Sequence, residues 1–205
     1  MPRYSPTVFH EWFLITWPEP SAWLASRLAY GRTLAVMSMI GYVLGLGDRH
    51  GENILFDGLS GDTVHVDLNC LFDKGKTFEI PERVPFRLTQ NMVDALGVTG
   101  VEGVFRKAAE ISMSILRNNS DSLMSVLEAF VHDPLIEWMK SGRSKSDRDI
   151  KASADRNLKP IKAKLLGIMD EGAIVSVPSQ VEALIKEATS PANLSAMYIG
   201  WAPWL

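Results

Sequence analysis

Leu46-Gly47-Asp48-Arg49-His50-Gly51-Glu52-Asn53-Ile54-Leu55-Phe56, followed by Val64-His65-Val66-Asp67-Leu68-Asn69, decides how the rest of the chain is read. Asn53 lies five positions after Asp48, and Asp67 nineteen after it. Ile54-Leu55-Phe56 and Val64-His65-Val66 read as two short strands. Asp57-Gly58 and Ser60-Gly61 supply turn chemistry between them. Taken alone, Asp48 and Asn53 are ordinary turn and cap residues. Asp67 at the end of the second strand changes the weighing, because three oxygen-bearing groups then converge on one edge of a hairpin. An Asp, an Asn and a second Asp in that order suit phosphoryl transfer. One carboxylate takes the proton of an attacking hydroxyl, while the amide and the other carboxylate hold magnesium against phosphates. Magnesium uses few protein oxygens and completes its shell with water and phosphate.

Upstream, Tyr4, Phe9, Trp12, Phe13 and Trp17 make the first twenty residues densely aromatic. Val8, Trp12 and Ile15 share a helical face, and Pro18 and Pro20 end that helix. Ser21 is placed to cap a second helix carrying Trp23, Leu24 and Leu28, which Gly31 interrupts. A third helix runs from about Arg32 to Leu44. Thr33 to Gly47 is apolar but too short to span a bilayer, and reads as a buried core helix. Gly45 and Gly47 let the chain turn sharply before Asp48.

Downstream, 67–85 sustains no period and reads as a long loop of the functional kind. Thr89 caps a short helix with Met92, Val93 and Leu96, stopped by Gly97. Thr99 and Glu102 have capping-box spacing, and the helix they open carries Val104, Ala108, Ile111 and Ile115 on one face. Another follows with Leu123, Leu127 and Phe130, and Asp133-Pro134 starts a further one. Ser141 to Lys164 holds eight Lys or Arg and three Asp, which reads as a solvated linker or a frayed helix. Ordered structure resumes near Ala173. Ser179 and Glu182 form a second capping box, and Val181, Leu184, Ile185 and Ala188 an apolar stripe. Ser190-Pro191 starts a last helix with Leu194, Met197 and Tyr198. The terminal Tyr198, Trp201 and Trp204 need apolar cover and are expected to dock on the core.

The 205 residues suffice for one domain with a sizeable core or a domain plus an appendage. A net charge of −3 gives no global case for a nucleic-acid binder. Cys70 is the single cysteine, which excludes an internal disulfide and fits a reducing compartment. His50, His65 and Cys70 match no zinc spacing, so His65 is expected to be structural. Asp48 is expected to deprotonate the acceptor hydroxyl, and Asn53 and Asp67 to chelate the metal. Arg49 is expected to brace the loop through a carboxylate. Two roles stay open for His50: stabilising charge near the transferred group, or hydrogen-bonding within the loop.

Gly47-Asp48-Arg49-His50-Gly51-Glu52-Asn53-Ile54-Leu55 resembles the catalytic loop of the phosphatidylinositol 3-kinase-related protein kinases, whose order is Asp-Arg-His where other protein kinases have His-Arg-Asp. His65 to Phe72 resembles the magnesium-binding segment, with Leu68-Asn69 where many kinases have Phe-Gly. Val84-Pro85-Phe86-Arg87-Leu88-Thr89 resembles the end of the activation segment. Ala173 to Leu205 resembles the FATC domain. Within the family the wording is nearest the branch typified by ATR, the DNA-damage checkpoint kinase, and its fungal counterparts.

The resemblance implies a mainly α fold with a small β-hairpin, the C-lobe of a protein-kinase-like fold followed by a helical FATC tail. It divides the chain into a C-lobe over 1–140, with catalytic loop 46–56, metal-binding segment 64–69 and activation segment 67–89, then a basic linker over 141–172 and a FATC domain over 173–205. It implies ATP with magnesium or manganese, catalytic Asp48, His50 and Arg49, metal ligands Asn53 and Asp67, and Leu55 and Val66 as the apolar floor under adenine. It also implies a nuclear setting, protein substrates bearing Ser or Thr before Gln, and a subunit like the ATR-interacting protein. Neither a membrane nor sequence-specific nucleic acid is expected as a partner of this segment. No glycine-rich phosphate loop or strand lysine precedes Asp48, so the chain is expected to be a C-lobe fragment, weak or inactive alone. Two other readings compete: a lipid or small-molecule phosphotransferase, and a non-catalytic interaction module.

Overall fold

The computed structural model describes residues 7–131, 147–169 and 172–204. Its described part is mostly helical with one two-stranded antiparallel sheet, as expected. Helix α1 (Phe9–Thr16) leads into α2 (Pro20–Leu44), the long central helix. Pro20 supplies the preset φ of a first helical turn, and Gly45 closes the helix in the left-handed region at φ 64. Gly31 does not interrupt α2. A Cβ there would lie 3.4 Å from both Leu96 and Val104, so the glycine buys close packing against its neighbours instead of a break. Glycine within a helix costs roughly 1 kcal/mol relative to alanine.

Strands β1 (Ile54–Phe56) and β2 (Thr63–His65) pair with Leu55 opposite Val64, one residue earlier in β2 than the sequence implies. Alternation turns Ile54 and Thr63 inward and leaves Leu55 and Val64 exposed. Asp57 organises the turn, accepting from Leu59 N at its side chain and from Gly61 N at its carbonyl. Phe9, Phe13, Tyr30 and Phe56 pack ring on ring at centroid distances of 4.5–5.9 Å, fastening α1 and β1 onto α2. Buried Tyr30 donates its hydroxyl to Met92 O at 2.9 Å, which ties α3 (Gln90–Ala95) to the same cluster. Thr89 caps α3 as expected, accepting from Met92 N.

Helix α4 (Val104–Asn118) crosses α2 and buries Phe105, Ala109 and Met113, not the stripe the sequence proposes. Val104, Ile111 and Ile115 are exposed instead. The helix is apolar on two faces, and the bulkier one takes the core. The capping box at Thr99 is also absent: Gly103 is the N-cap, and the Glu102 carboxylate is taken by Arg106. Helix α5 (Ser120–Val131) follows. The helix expected after Asp133-Pro134 lies outside the described residues.

Residues expected to be a linker form α6 (Asp147–Leu166). Leu158, Ile161 and Leu165 are buried along one face, a period hidden by the surrounding charge. Lys164 is buried too, its amine 2.9–3.0 Å from both Asp73 oxygens and 2.9 Å from Tyr42 O. Burial pushes this amine below its ordinary pKa and the Asp73 carboxylate pulls it back up. Helix α7 (Val177–Ala188) starts before the expected cap, with Ser176 as N-cap and Pro178 in the first turn. Its stripe Val181, Leu184, Ile185 and Ala188 is buried as expected. Fully buried Gln180 donates to Lys164 O and accepts from Arg117, joining α7, α6 and α4. After α8 (Pro191–Ser195), Trp201 is buried with Leu194, Met197 and Val84 in a small cluster apart from the main core, while Tyr198 and Trp204, expected to dock with it, are exposed. No helix among the described residues is long and apolar enough to cross a membrane.

Candidate active site

The loop between α2 and β1 carries the first part of the site. Asp48 adopts φ 60, the left-handed region that non-glycine residues rarely enter. Two hydrogen bonds hold it there. Its N–H donates to Glu82 Oε1 at 2.7 Å, and its carbonyl accepts from Asn53 Nδ2 at 2.7 Å. Asn53 is buried at the end of the 3-10 turn Gly51–Asn53, and its amide nitrogen is committed to that contact, which leaves Oδ1 for a cation.

Arg49 is only 3% exposed and joins the two halves of the site. Its Nε donates to Gly47 O at 2.9 Å, Nη1 to Val66 O at 2.7 Å and Asn53 O at 3.4 Å, and Nη2 to Asp67 O. The brace expected of Arg49 is present, but it runs through backbone carbonyls and not through a carboxylate. Of the three residues grouped as catalytic, Arg49 has its guanidinium taken up by these carbonyls. Burial lowers its guanidinium from its ordinary value, and Asp48 and Asp67 oppose that shift. The bonds to Val66 and Asp67 carbonyls draw the segment after β2 against the Asp48–Asn53 loop.

His50 accepts from Glu52 N at Nδ1, which puts its neutral-form proton on Nε2. The loop hydrogen bond is therefore present, and the opposite nitrogen remains a donor. Asp67 is exposed with φ 53, and Oδ1 takes both Asn69 donors, Nδ2 at 2.7 Å and N at 3.3 Å. Oδ2 is left for a cation. One amide oxygen and one carboxylate form a donor set suited to magnesium carried in on phosphates, not to a metal caged by protein. No cluster of three or more His, Cys, Asp or Glu capable of holding an ion occurs among the described residues. Leu55 and Val64 share the exposed face of the hairpin, and Val66 N continues the ladder to Asn53 O, which sets Val66 on that face with Leu55.

Two groups here carry no sequence signal. Glu82 lies in the loop where no period is sustained, yet its carboxylate reaches back to Asp48; burial raises its pKa and the Asp48 N–H lowers it. Asp73, at φ 55, is the anchor for Lys164. Farther along the loop, Arg87 donates to Trp201 O at 2.6 Å and Ala202 O at 2.9 Å and stacks over the Trp201 ring.

His65, expected to be structural, faces inward with both ring nitrogens buried and without partners among the described residues. Desolvation, then the nearby Arg49 charge, lowers its pKa from 6.5 to about 4. The folded state therefore holds it neutral where the unfolded chain binds a proton. Stability is expected to fall as pH drops below 6.5, by at most about 1.4 kcal/mol per unit and by roughly 3 kcal/mol by pH 4. Urea denaturation of the chain at pH 7 and pH 4 measures it. The loss should shrink by that amount in His65→Phe, and an unchanged pH dependence in this variant would exclude His65 as its source.

Residues 3–140 match the family model of the phosphatidylinositol 3- and 4-kinases, and residues 174–205 that of the FATC domain. The chain is 57% identical over 205 residues to Protein kinase rad3 of Schizosaccharomyces pombe, covering all of this chain and 8% of that protein. It is 54% identical over 199 residues to Serine/threonine-protein kinase ATR of Arabidopsis thaliana, covering 97% of this chain and 7% of that one. The solved structure of the FAT and kinase domain of CtTel1 superposes with a TM-score of 0.84 at 40% identity, over 97% of this chain and 14% of that chain. The chain thus spans less than a tenth of the length of those two relatives. It belongs to the phosphatidylinositol 3- and 4-kinase family, with a FATC domain following the kinase segment.

Proposed function

We propose that this chain is the catalytic-loop part of an ATP-dependent serine/threonine protein kinase that acts on Ser or Thr followed by Gln. The observation that carries the reading is the Arg49 guanidinium, which gathers the Asp48–Asn53 loop and the Asp67 segment onto one cation. The relatives named as protein kinases favour a protein acceptor over a lipid. In the transfer, Asp48 orients the acceptor hydroxyl and takes its proton as the oxygen–phosphorus bond forms and the bond to the ADP oxygen breaks. Asn53 Oδ1 and Asp67 hold magnesium, or manganese in its place. The bound ion neutralises phosphate charge. Leu55 and Val66 form the floor under adenine, and His50 Nε2 offers a donor to developing negative charge. Checkpoint signalling after DNA damage, a nuclear site of action and an ATR-interacting-protein-like subunit complete the reading.

The test is phosphorylation by the full-length protein of a Ser-Gln peptide, its Ser-Ala counterpart and phosphatidylinositol vesicles. Preference for Ser-Gln is expected, and turnover confined to the lipid would overturn the reading. Asp67→Ala in the same protein should weaken magnesium-ATP binding by about 10- to 100-fold or more, read by calorimetry. Unchanged affinity would remove Asp67 from the metal site.

A further inference from the structure

We propose that Glu82 is a positioning residue for phosphoryl transfer, holding the proton acceptor Asp48 in its left-handed conformation from the far side of the activation segment. This rests on Asp48 being the proton acceptor. Four observations converge on it. The Glu82 carboxylate receives the Asp48 N–H at 2.7 Å, the one backbone donor of the strained residue itself. A Cβ on Gly47 would stand 2.4 Å from Glu82 Oε2, and a Cβ on Gly75 1.8 Å from the same oxygen. Neither glycine has positive φ, so neither is needed for backbone conformation. What both positions provide is the slot in which the carboxylate lies. Glu82 N also donates to Gly75 O at 3.1 Å, so side chain and backbone fix the segment to one spot.

The consequence is mechanical. Asn53 holds the Asp48 carbonyl and Glu82 its N–H, so the two peptide groups flanking the Asp48 Cα are pinned from opposite sides. The Asn53 clamp is local to the catalytic loop. The Glu82 clamp arrives from fifteen residues beyond Asp67 and depends on the course of the intervening loop. Asp48 is therefore aimed correctly only when that loop has folded back against Gly47.

The test uses the full-length kinase with Glu82→Ala, Glu82→Gln, Gly75→Ala and the Gly75→Ala/Glu82→Ala double variant. Misaiming the acceptor by about an ångström lowers kcat by about 10- to 100-fold, and that loss is expected for Glu82→Ala with the KM for ATP unchanged. Glu82→Gln keeps a carbonyl acceptor and should recover most of the rate. Gly75→Ala fills the slot and should reproduce the loss. The double variant should be no worse than either single one, because both break the same contact. A raised KM at constant kcat, a Gln variant as impaired as Ala, or additive losses in the double variant would each overturn the proposal. Should Glu82→Ala fail to fold, judged by its thermal transition, Gly75→Ala and Glu82→Gln carry the same comparison. Asp48→Ala run in parallel separates the two claims. If it retains turnover, the acceptor assignment fails; if it is inactive while Glu82→Ala is wild type, the Glu82 role alone fails.

Discussion

Replacing Asp48 by alanine in a full-length kinase carrying this segment is expected to lower kcat by about 100- to 10,000-fold, with ATP affinity within about twofold of wild type. The asymmetry follows from the geometry. Asp48 enters the site from a loop clamped at both flanking peptides, and those clamps use backbone atoms that alanine retains. Asn53 and Asp67 keep their own supports in the turn Gly51–Asn53 and in Asn69. Only the proton acceptor is removed. Single-turnover phosphorylation of a Ser-Gln peptide, alongside nucleotide binding by calorimetry, measures both parts. Turnover near wild type would show that another group accepts the proton.

Arg49→Ala is expected to act on structure and activity together. Four carbonyls, of Gly47, Asn53, Val66 and Asp67, converge on the guanidinium in a buried site. Each buried acceptor left without a donor costs about 1–3 kcal/mol. Water entering the cavity restores some of them, so a loss of about 3 kcal/mol is expected, or roughly 6–12 °C in Tm for a chain of this size. Arg49→Lys should recover little, because one ammonium cannot span carbonyls arranged around a planar fork. Thermal denaturation of the chain reads the first effect and full-length turnover the second. A shift below about 2 °C would mean that the two halves of the site hold together without Arg49.

The hairpin and the site were largely legible because their signals are local. Turn residues, short apolar runs and the order Asp48, Asn53, Asp67 all fall in one short stretch, with Asp67 nineteen positions after Asp48. Helix α2 was legible at its C-terminal end, through Gly45, but not at its start, where Pro20, read as ending the first helix, opens the second and Ser21, read as its cap, lies inside it, nor in its middle, because a glycine that admits Leu96 and Val104 looks the same in sequence as one that breaks a helix. The buried face of α4 was hidden for another reason: Val104-Ala108-Ile111-Ile115 and Phe105-Ala109-Met113 both repeat at helical spacing, and the choice is made by α2. In α6 the apolar period of Leu158, Ile161 and Leu165 lay beneath a dense positive charge, and the partner that makes Lys164 a core residue, Asp73, is ninety-one positions away. Glu82 was invisible on the same grounds, since nothing near it in sequence indicates that Gly47 and Gly75 leave room for it.

The family models divide the chain at 140 and resume at 174, yet the buried cluster does not respect that division. Ile161 and Leu165, which neither model covers, are packed in one core with Phe13, Tyr30 and Val181. The loop that leaves Asp67 is fastened at Asp73 by Lys164, and at Arg87 by the carbonyls of Trp201 and Ala202. A deletion that removed Lys164, Trp201 and Ala202 would leave every residue from Asp48 to Asp67 in place and would take away these partners of the loop. Residues far from Asp48 in the sequence thus hold the course of the loop that runs on from Asp67.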